Sequence, residues 1–379
     1  MNVATDRPSP DREPDAKYEV TPLELFFDLV FVFGVSQLSH HWLEHMTWRG
    51  AAEALVLLLP VLAAWSYTSW AATLIPANQS ATLWMMLSVM ALGLFMNASL
   101  TQAFTGSGWL FVVPFLVTQL GRTVWTIANA PDALYREHFL RVLVWLLATT
   151  PFWIAGAAAN DERRLLYWGL AAAIDLLGTW LAHPIPGRRL HSEQVDFAGG
   201  HMLERCRLFL IIALGETVLT TGTAIAAVPM TVTTVITGTA ALAGTVALWA
   251  LYFGRSEPLA IQHVETTTNP IRSSRFAMNG LTAMVAGLIA VAVGNEHAIT
   301  HPDEHTSAAL SASVYGGPVL FLLAQAWYLR TVPRVSSRLQ VVGSCALFVL
   351  GFAALAAPAY VALIGAAVAL GVVALFDRS

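Results

Sequence analysis

Residues 21–33 read TPLELFFDLVFVF, and this stretch decides how the rest of the chain is interpreted. It is apolar enough to enter a lipid bilayer, yet it carries two carboxylates, Glu24 and Asp28, one helical turn apart. An ionised side chain at the centre of a bilayer costs at least about 2.5–3.5 kcal/mol on insertion scales. These two acids therefore need a counter-ion, a bound proton or surrounding water, and they are leads to function.

The composition is that of an integral membrane protein. The 379 residues are 56% hydrophobic and 12% charged, whereas soluble domains average about 25% charged residues. No basic patch is present that would bind nucleic acid. Cys206 and Cys345 both fall near or within apolar segments, so neither a disulfide framework nor a thiolate zinc site is expected.

Apolar segments long enough to cross a bilayer recur along the whole chain, and crossing takes about 20 residues. They predict an all-α bundle of about twelve transmembrane spans, near 22–43, 52–75, 81–103, 108–129, 139–159, 164–183, 206–226, 232–254, 275–295, 309–330, 338–357 and 359–376. Residues 1–20 are polar and are expected to be a disordered cytoplasmic segment before a retained first span. Residues 21–200 then form a first membrane half, and residues 201–379 form a second.

The arginines test this count independently. If successive spans cross the membrane in opposite directions, nearly all the basic residues fall on the same side of the membrane as the N-terminus. Among them are Arg7, Arg12, Lys17, Arg188, Arg189, Arg255 and Arg334. Only Arg49, Arg163 and Arg164 fall on the other side, and Arg122 lies within a span. The positive-inside rule then places both termini in the cytoplasm.

The two halves share short patterns. Span four contains PFLVTQLGRTV (residues 114–124), and span ten contains LFLLAQ followed by RTV (residues 320–325 and 330–332). Six spans per half would relate the halves by a pseudo-twofold axis along the membrane normal. Chance similarity among Leu-, Val- and Ala-rich helices is the alternative.

Few charges lie well inside the spans. We expect three intramembrane acids, Asp28, Asp175 and Glu216, and we expect Arg122 to pair with Asp28. Such a pair either belongs to a proton or cation pathway or merely links two helices. The neutral side chains of Gln37 and Asn97 are candidates for lining the same path.

Two histidine clusters fall on the predicted external side. The first surrounds His41 and His45, whose i,i+4 spacing faces both rings the same way on a helix. The second contains His297 and His301. Imidazoles beside carboxylates bind zinc or sense pH, and they are also ordinary loop residues.

The motif set resembles the bacterial low temperature requirement A family. Residues 21–32 match its opening signature, and the stretch HMLERCRLFLIIALGET (residues 201–217) looks like its second. The resemblance implies a multi-pass inner-membrane protein of bacteria and adds Glu204 and Arg205 to Glu24, Asp28 and Glu216 as site candidates. Gly254 stands where relatives often carry an acid.

These observations favour a transporter or permease for an unidentified small solute or cation. In this interpretation Asp28 and Glu216 carry the proton or cation, while Arg122 and Arg205 are counter-charges. The alternatives are a non-transporting membrane protein that supports the envelope or growth in the cold, and a metal-dependent enzyme acting on lipid. No Walker, GxSxG, HExxH or dinucleotide motif is present, so soluble-type enzymology and a cofactor are not expected. The expected partners are the lipid bilayer and an unknown small solute or cation, and the sequence does not indicate an oligomeric state.

Overall fold

The computed structural model describes residues 20–75, 80–186, 197–254, 256–267, 269–333 and 335–378. All regular elements within these ranges are helices. They are α1 (Pro22–Glu44), α2 (Trp48–Leu74), α3 (Ser80–Ala98), α4 (Trp109–Ala128), α5 (Ala133–Ala158), α6 (Asp161–Leu181), α7 (Gly199–Ala227), α8 (Val232–Tyr252), α9 (Ser256–Thr266), α10 (Pro270–Thr300), α11 (Ala308–Ser311), α12 (Gly317–Leu329), α13 (Arg338–Ala354) and α14 (Ala359–Arg378).

Some predictions concern residues outside these ranges. The disordered N-terminal segment is one of them, since only its last residue, Val20, is described. Several basic residues used for the topology also lie outside the described ranges, namely Arg7, Arg12, Lys17, Arg188, Arg189, Arg255 and Arg334.

Ten segments among the described residues are long and apolar enough to cross a membrane. The helices α6 and α13 are not among them, although each coincides with a predicted span. The first turn of α6 carries four charged residues, and α13 has only 17 residues. An all-helical, multi-pass membrane protein is therefore confirmed, while the count of twelve stays a prediction.

Large apolar side chains cover the outside of the bundle. Phe95 is 71% exposed, Leu219 is 65% exposed and Trp84 is 67% exposed. Soluble monomers rarely expose contiguous apolar surface on this scale. The polar and charged side chains described below lie inside, so the bundle has the polarity expected of a protein surrounded by lipid.

The start of α1 is fixed by local hydrogen bonds. Thr21 is the N-cap, and its Oγ1 accepts from the Glu24 backbone N–H at 3.3 Å. Glu24 Oε2 accepts in return from the Thr21 backbone N–H at 2.9 Å. Pro22 occupies the first turn, where a missing N–H costs nothing. This capping box orients the Glu24 carboxylate through hydrogen bonds within the first turn of the helix.

The two halves pack their helices in a similar order. In the first half α1 packs on α2 and α3, then α3 on α4, α4 on α5, α5 on α6, and α6 returns to α2. In the second half α7 packs on α8 and α10, then α10 on α12, α12 on α13, α13 on α14, and α14 returns to α8. The halves meet where α1 and α2 contact α7 and α10.

One helix contains a wider turn. The residues Ala312–Gly316 form a π-helical turn between α11 and α12. The Tyr315 hydroxyl donates to the Ala362 carbonyl of α14 at 2.8 Å, and Ser311 Oγ donates to the Gly351 carbonyl of α13 at 2.7 Å. These two bonds hold the irregular turn against its neighbours.

Candidate functional site

Two carboxylates of α1 converge on one arginine of α7. Arg205 Nη2 lies 2.5 Å from Asp28 Oδ1, and its Nη1 lies 3.3 Å from Glu24 Oε1. All three side chains are buried. Because Glu24 and Asp28 are four residues apart on a helix, they face the same way and one guanidinium reaches both. We call this set (Glu24, Asp28 and Arg205) the joint, since it links the two halves.

Neighbouring side chains complete the joint. Trp65 of α2 donates from Nε1 to Asp28 Oδ1 at 2.7 Å. His201 Nε2 lies 3.4 Å from Glu24 Oε1, and its Nδ1 lies 3.3 Å from Thr73 Oγ1. His201 keeps partial exposure, so it is where the joint approaches the surface. Helices α1, α2 and α7 are therefore tied together by charged and polar contacts.

The expected pair between Arg122 and Asp28 is wrong. Arg205 occupies the place beside Asp28, while the Arg122 guanidinium lies 5.0 Å from the centre of the Tyr67 ring. Arg122 also donates to Thr123 Oγ1 at 3.0 Å. The error comes from a helix boundary: α7 begins at Gly199, seven residues before the span predicted from 206, so Arg205 is a buried base rather than a flanking one.

A cavity lies between the first half and α10. Its volume is about 90 Å³, which is enough to hold water or a small solute. Five helices contribute to its wall: α2, α4, α5, α6 and α10. The polar wall residues are Ser66, Tyr67, Gln119, His138, Asp175, Thr179, His183, Arg275, Asn279 and Thr282. We call this space the central cavity.

Among the described residues Asp175 is the only carboxylate in the wall of the central cavity. Its Oδ1 accepts from Thr149 Oγ1 at 2.8 Å, and its Oδ2 accepts from Trp153 Nε1 at 3.1 Å. The two donors come from α5 and hold the carboxylate in one orientation. Among the described residues Asp175 has no ion-pair partner.

His183 follows the end of α6 and is held in the wall by α5. Arg141 Nε donates to the His183 carbonyl at 2.9 Å, and its Nη2 donates to the Ala182 carbonyl at 3.1 Å. Both carbonyls belong to residues with left-handed backbone, at φ values of 51° and 59°. The His183 ring then meets the Tyr67 hydroxyl, with Nε2 and the oxygen 2.7 Å apart.

Several polar groups at the central cavity lack a partner within the described part of the chain. Gln119 Oε1 and His183 Nδ1 are both buried without a hydrogen bond. Arg275 is half-buried in the wall and forms no ion pair with any described residue. Buried polar groups are normally bonded, so the wall offers open bonding capacity to whatever fills the space.

The sequence prediction missed most of this wall. Asp175 was a candidate, but Tyr67, His138, His183 and Arg275 were not. These residues stand on different helices at no regular spacing, so no local pattern joins them. Polar side chains inside predicted spans, such as Tyr67, Gln119 and Asn279, are the local signals available for this surface.

A second, smaller cavity lies in the second half. Its volume is about 30 Å³, and α7, α8, α9 and α12 form its wall. Arg207 pairs there with Glu204 at 3.1 Å and with Glu257 at 2.5 Å. Glu204 is therefore an ion-pair partner of Arg207 and stands apart from the joint.

Three other candidates lie away from both cavities. Asn97 Nδ2 donates to the Val30 carbonyl of α1 at 2.7 Å, and Gly34 gives it room, because a Cβ at that position would stand 2.7 Å from Asn97 Oδ1. Gln37 and Glu216 are half-buried and line neither cavity. Glu216 stands eleven residues beyond Arg205, about 16 Å along α7.

The histidine clusters hold hydrogen bonds to carboxylates. His41 Nε2 lies 3.0 Å from Glu53 Oε2, and His297 Nε2 lies 3.1 Å from Glu304 Oε2. The rings of His45 and His301 lie beside these two rings, with centres 5.3 and 5.1 Å apart. Within the described ranges no group of three or more His, Cys, Asp or Glu is arranged to hold a metal. This geometry gives the metal prediction no support.

Comparisons with known proteins identify relatives. The family model described as bacterial low temperature requirement A protein matches residues 19–375. An uncharacterized protein of Rhizobium meliloti (strain 1021) is 31% identical over 320 residues, which cover 83% of this chain and 77% of that protein. No solved structure matches the chain.

Proposed function

We propose that this chain, which belongs to the bacterial low temperature requirement A family, is a transporter that moves a small solute through its central cavity. The observation that carries the proposal is the cavity itself. It lies between the halves of a multi-pass membrane protein, and its polar wall includes Asp175, Arg275 and unpartnered Gln119. Ionisable side chains inside membrane spans mark substrate and ion pathways by default.

The packing order supports a repeat of two six-helix units. Equivalent neighbours recur in α1–α6 and in α7–α14, with α9 as an added short helix. In the central cavity Tyr67 and Gln119 come from α2 and α4, while in the smaller cavity Tyr252 and Gln325 come from α8 and α12. These four residues hold corresponding places in the two packing orders. Transporters built from parallel repeats bind substrate between the repeats and expose it by rocking one against the other.

The charges divide into two roles in this proposal. The joint holds the two halves together, because both of its carboxylates are already matched by Arg205. Asp175 replaces Asp28 and Glu216 as the carboxylate that exchanges a proton or cation with the path. It lines the cavity and has no counter-ion there among the described residues.

The experiment compares two acids, Asp175 and Glu216, that the sequence predicts to lie within membrane spans. Purified protein is reconstituted into liposomes loaded with a pH-sensitive dye and challenged with propionate, lactate, ethylammonium and glycine. For Asp175→Asn we expect a normal yield of folded protein and at least a tenfold loss of flux. The matched control is Glu216→Gln, which also removes one intramembrane acid but lies outside both cavities. Flux that is absent in the wild type for every probe, or unchanged in Asp175→Asn, contradicts the proposal.

A non-transporting role in the envelope is the second candidate, and the joint favours it. A buried ion pair between helices is what a purely structural link requires. In that case Asp28→Asn and Asp175→Asn both lower the amount of folded protein, and neither changes a flux. The transport proposal predicts a lower folded yield for Asp28→Asn only.

Orientation and location complete the proposal. We place the protein in the inner membrane of a bacterium, with both termini in the cytoplasm, because the predicted cytoplasmic loops carry nearly all the basic residues. The central cavity then lies in the cytoplasmic half, beside the end of α6 and the start of α10. Reporter fusions at each terminus, active only in the cytoplasm or only in the periplasm, test this orientation.

A further inference from the structure

The geometry points to a small organic carboxylate as the solute that occupies the central cavity, with Arg275 as its anchoring residue. This inference rests on the proposed transport function and names the substrate class of the same site. Guanidinium groups bind carboxylates through two parallel hydrogen bonds, which gives both affinity and orientation.

The charge around the cavity is the first argument. Among the described residues its wall contains one guanidinium, Arg275, and one carboxylate, Asp175. Two more guanidiniums contact wall residues from outside the cavity, Arg122 on Tyr67 and Arg141 on His183. Glu137, one helical turn before Arg141, is an acid that also lies outside the wall. In this described set the three guanidiniums outnumber the two carboxylates, so the charge that would balance them is negative.

The state of the two wall charges is the second argument. Asp175 already accepts a hydrogen bond on each oxygen, from Thr149 and Trp153. Arg275 is half-buried and has no acidic partner within the described chain. An anion that enters the cavity therefore meets a guanidinium without a described partner at Arg275, whereas a cation at Asp175 meets oxygens that already accept two hydrogen bonds.

The uncharged groups define the rest of the solute. When the Tyr67 hydroxyl donates to His183 Nε2, the hydrogen of His183 stands on Nδ1, and that atom is a free donor. Gln119 Oε1 is likewise buried without a donor among the described residues. Much of the remaining wall is apolar, including Leu59, Leu62 and Met278. A short aliphatic chain with a carboxylate fits this wall.

Binding is measured on purified protein through the fluorescence of its tryptophans, since Trp70 and Trp153 line the cavity. Sodium propionate and sodium lactate are titrated at constant ionic strength against sodium chloride, and ethylammonium chloride is the cationic probe. We expect saturable signals from the two carboxylates only. Arg275→Gln should weaken carboxylate binding at least tenfold.

The matched control is Arg272→Gln. Arg272 stands one turn earlier on the same helix, is exposed, and lies against the Phe276 ring outside the cavity wall. This variant should bind like the wild type. Arg275→Lys keeps the charge but loses the two parallel donors of the guanidinium, so its affinity for carboxylates should lie between those of the wild type and Arg275→Gln. If the glutamine variant fails to fold, the affinity of Arg275→Lys tests the role of Arg275 instead.

Three results would overturn the inference: equal binding of chloride, a saturable signal from ethylammonium alone, or an Arg275→Gln variant that binds carboxylates normally. The transport proposal fails separately. If carboxylates bind but no probe is transported, the carboxylate site is supported and the transport proposal is contradicted. If ethylammonium alone is transported, the transport proposal is supported and the carboxylate inference is contradicted.

Discussion

The joint and the central cavity both place charged side chains inside a bundle of apolar helices, and they treat those charges in opposite ways. In the joint Arg205 lies within 3.3 Å of two carboxylates. In the cavity Arg275 and Asp175 have no ion-pair partner within the described residues. Matched charge holds helices in place, whereas unmatched charge next to open space is available to a ligand. Mutations at the two regions should therefore separate stability from transport.

The largest expected effect comes from removing the centre of the joint. Arg205→Ala leaves two buried carboxylates without their counter-ion, and losing one partner of a buried ion pair costs about 3–5 kcal/mol. We expect little folded protein in the membrane, measured as the monodisperse fraction of a fluorescent fusion in detergent.

Two variants sharpen this result. Arg207→Ala removes a half-exposed arginine two residues further along α7 and should lower the folded yield much less. A joint without charge, made by Glu24→Gln, Asp28→Asn and Arg205→Met together, should recover part of the lost yield, because neutral replacement of a buried ion pair is often tolerated. A normal yield for Arg205→Ala would remove the structural role of the joint.

The next effect belongs to the cavity and should appear in flux alone. Ala63 lines the cavity from α2, and Ala63→Phe places a ring in the space. We expect a normal folded yield and at least a tenfold loss of transport in liposomes, because the solute no longer fits. Ala63→Ser, which adds one atom, is the control and should keep most of the flux. A collapse in yield for Ala63→Phe would mean that the space is part of the packed core.

The smallest effect concerns a single hydrogen bond at the joint. Trp65→Phe removes the Nε1 donor from Asp28 while keeping an aromatic ring against Phe209. Hydrogen bonds to charged groups contribute about 1.5–3 kcal/mol, and Arg205 still neutralises the carboxylate, so we expect a loss near the lower end. The melting temperature of the purified protein should fall by a few degrees with flux unchanged. Trp70→Phe, in the cavity wall, should change flux instead.

The sequence predicts the helical architecture well. Apolar length alone marks the ten described segments that could cross a membrane, because the hydrocarbon thickness imposes a minimum on each one. The short α9 (Ser256–Thr266) was not predicted, since an eleven-residue helix with mixed polarity has no membrane signature. The family signatures also contain Glu24, Asp28 and Arg205, so each member of the joint could be named from the sequence.

The partners could not be named from the sequence. Arg205 is 177 residues from Asp28 along the chain, and only the early start of α7 brings the two together. The sequence predicted that Arg122 pairs with Asp28, because both were expected within membrane spans. It gave no information on the direction in which the Arg122 side chain points. The cavity was harder still, because His138, His183 and Arg275 have no shared spacing and meet only after five helices have packed.

The π turn at Ala312–Gly316 has a geometric consequence for the second half. A π turn uses one residue more than an α turn, and each residue of an α-helix advances the direction of the side chains by about 100°. Gln325 consequently faces about 100° away from the direction that an uninterrupted helix starting at Ala308 would give it. From this orientation its Nε2 donates to the Leu251 carbonyl of α8, 2.6 Å away. Deleting one residue of the turn would rotate the side chains of α12 by about 100° relative to the helices around it.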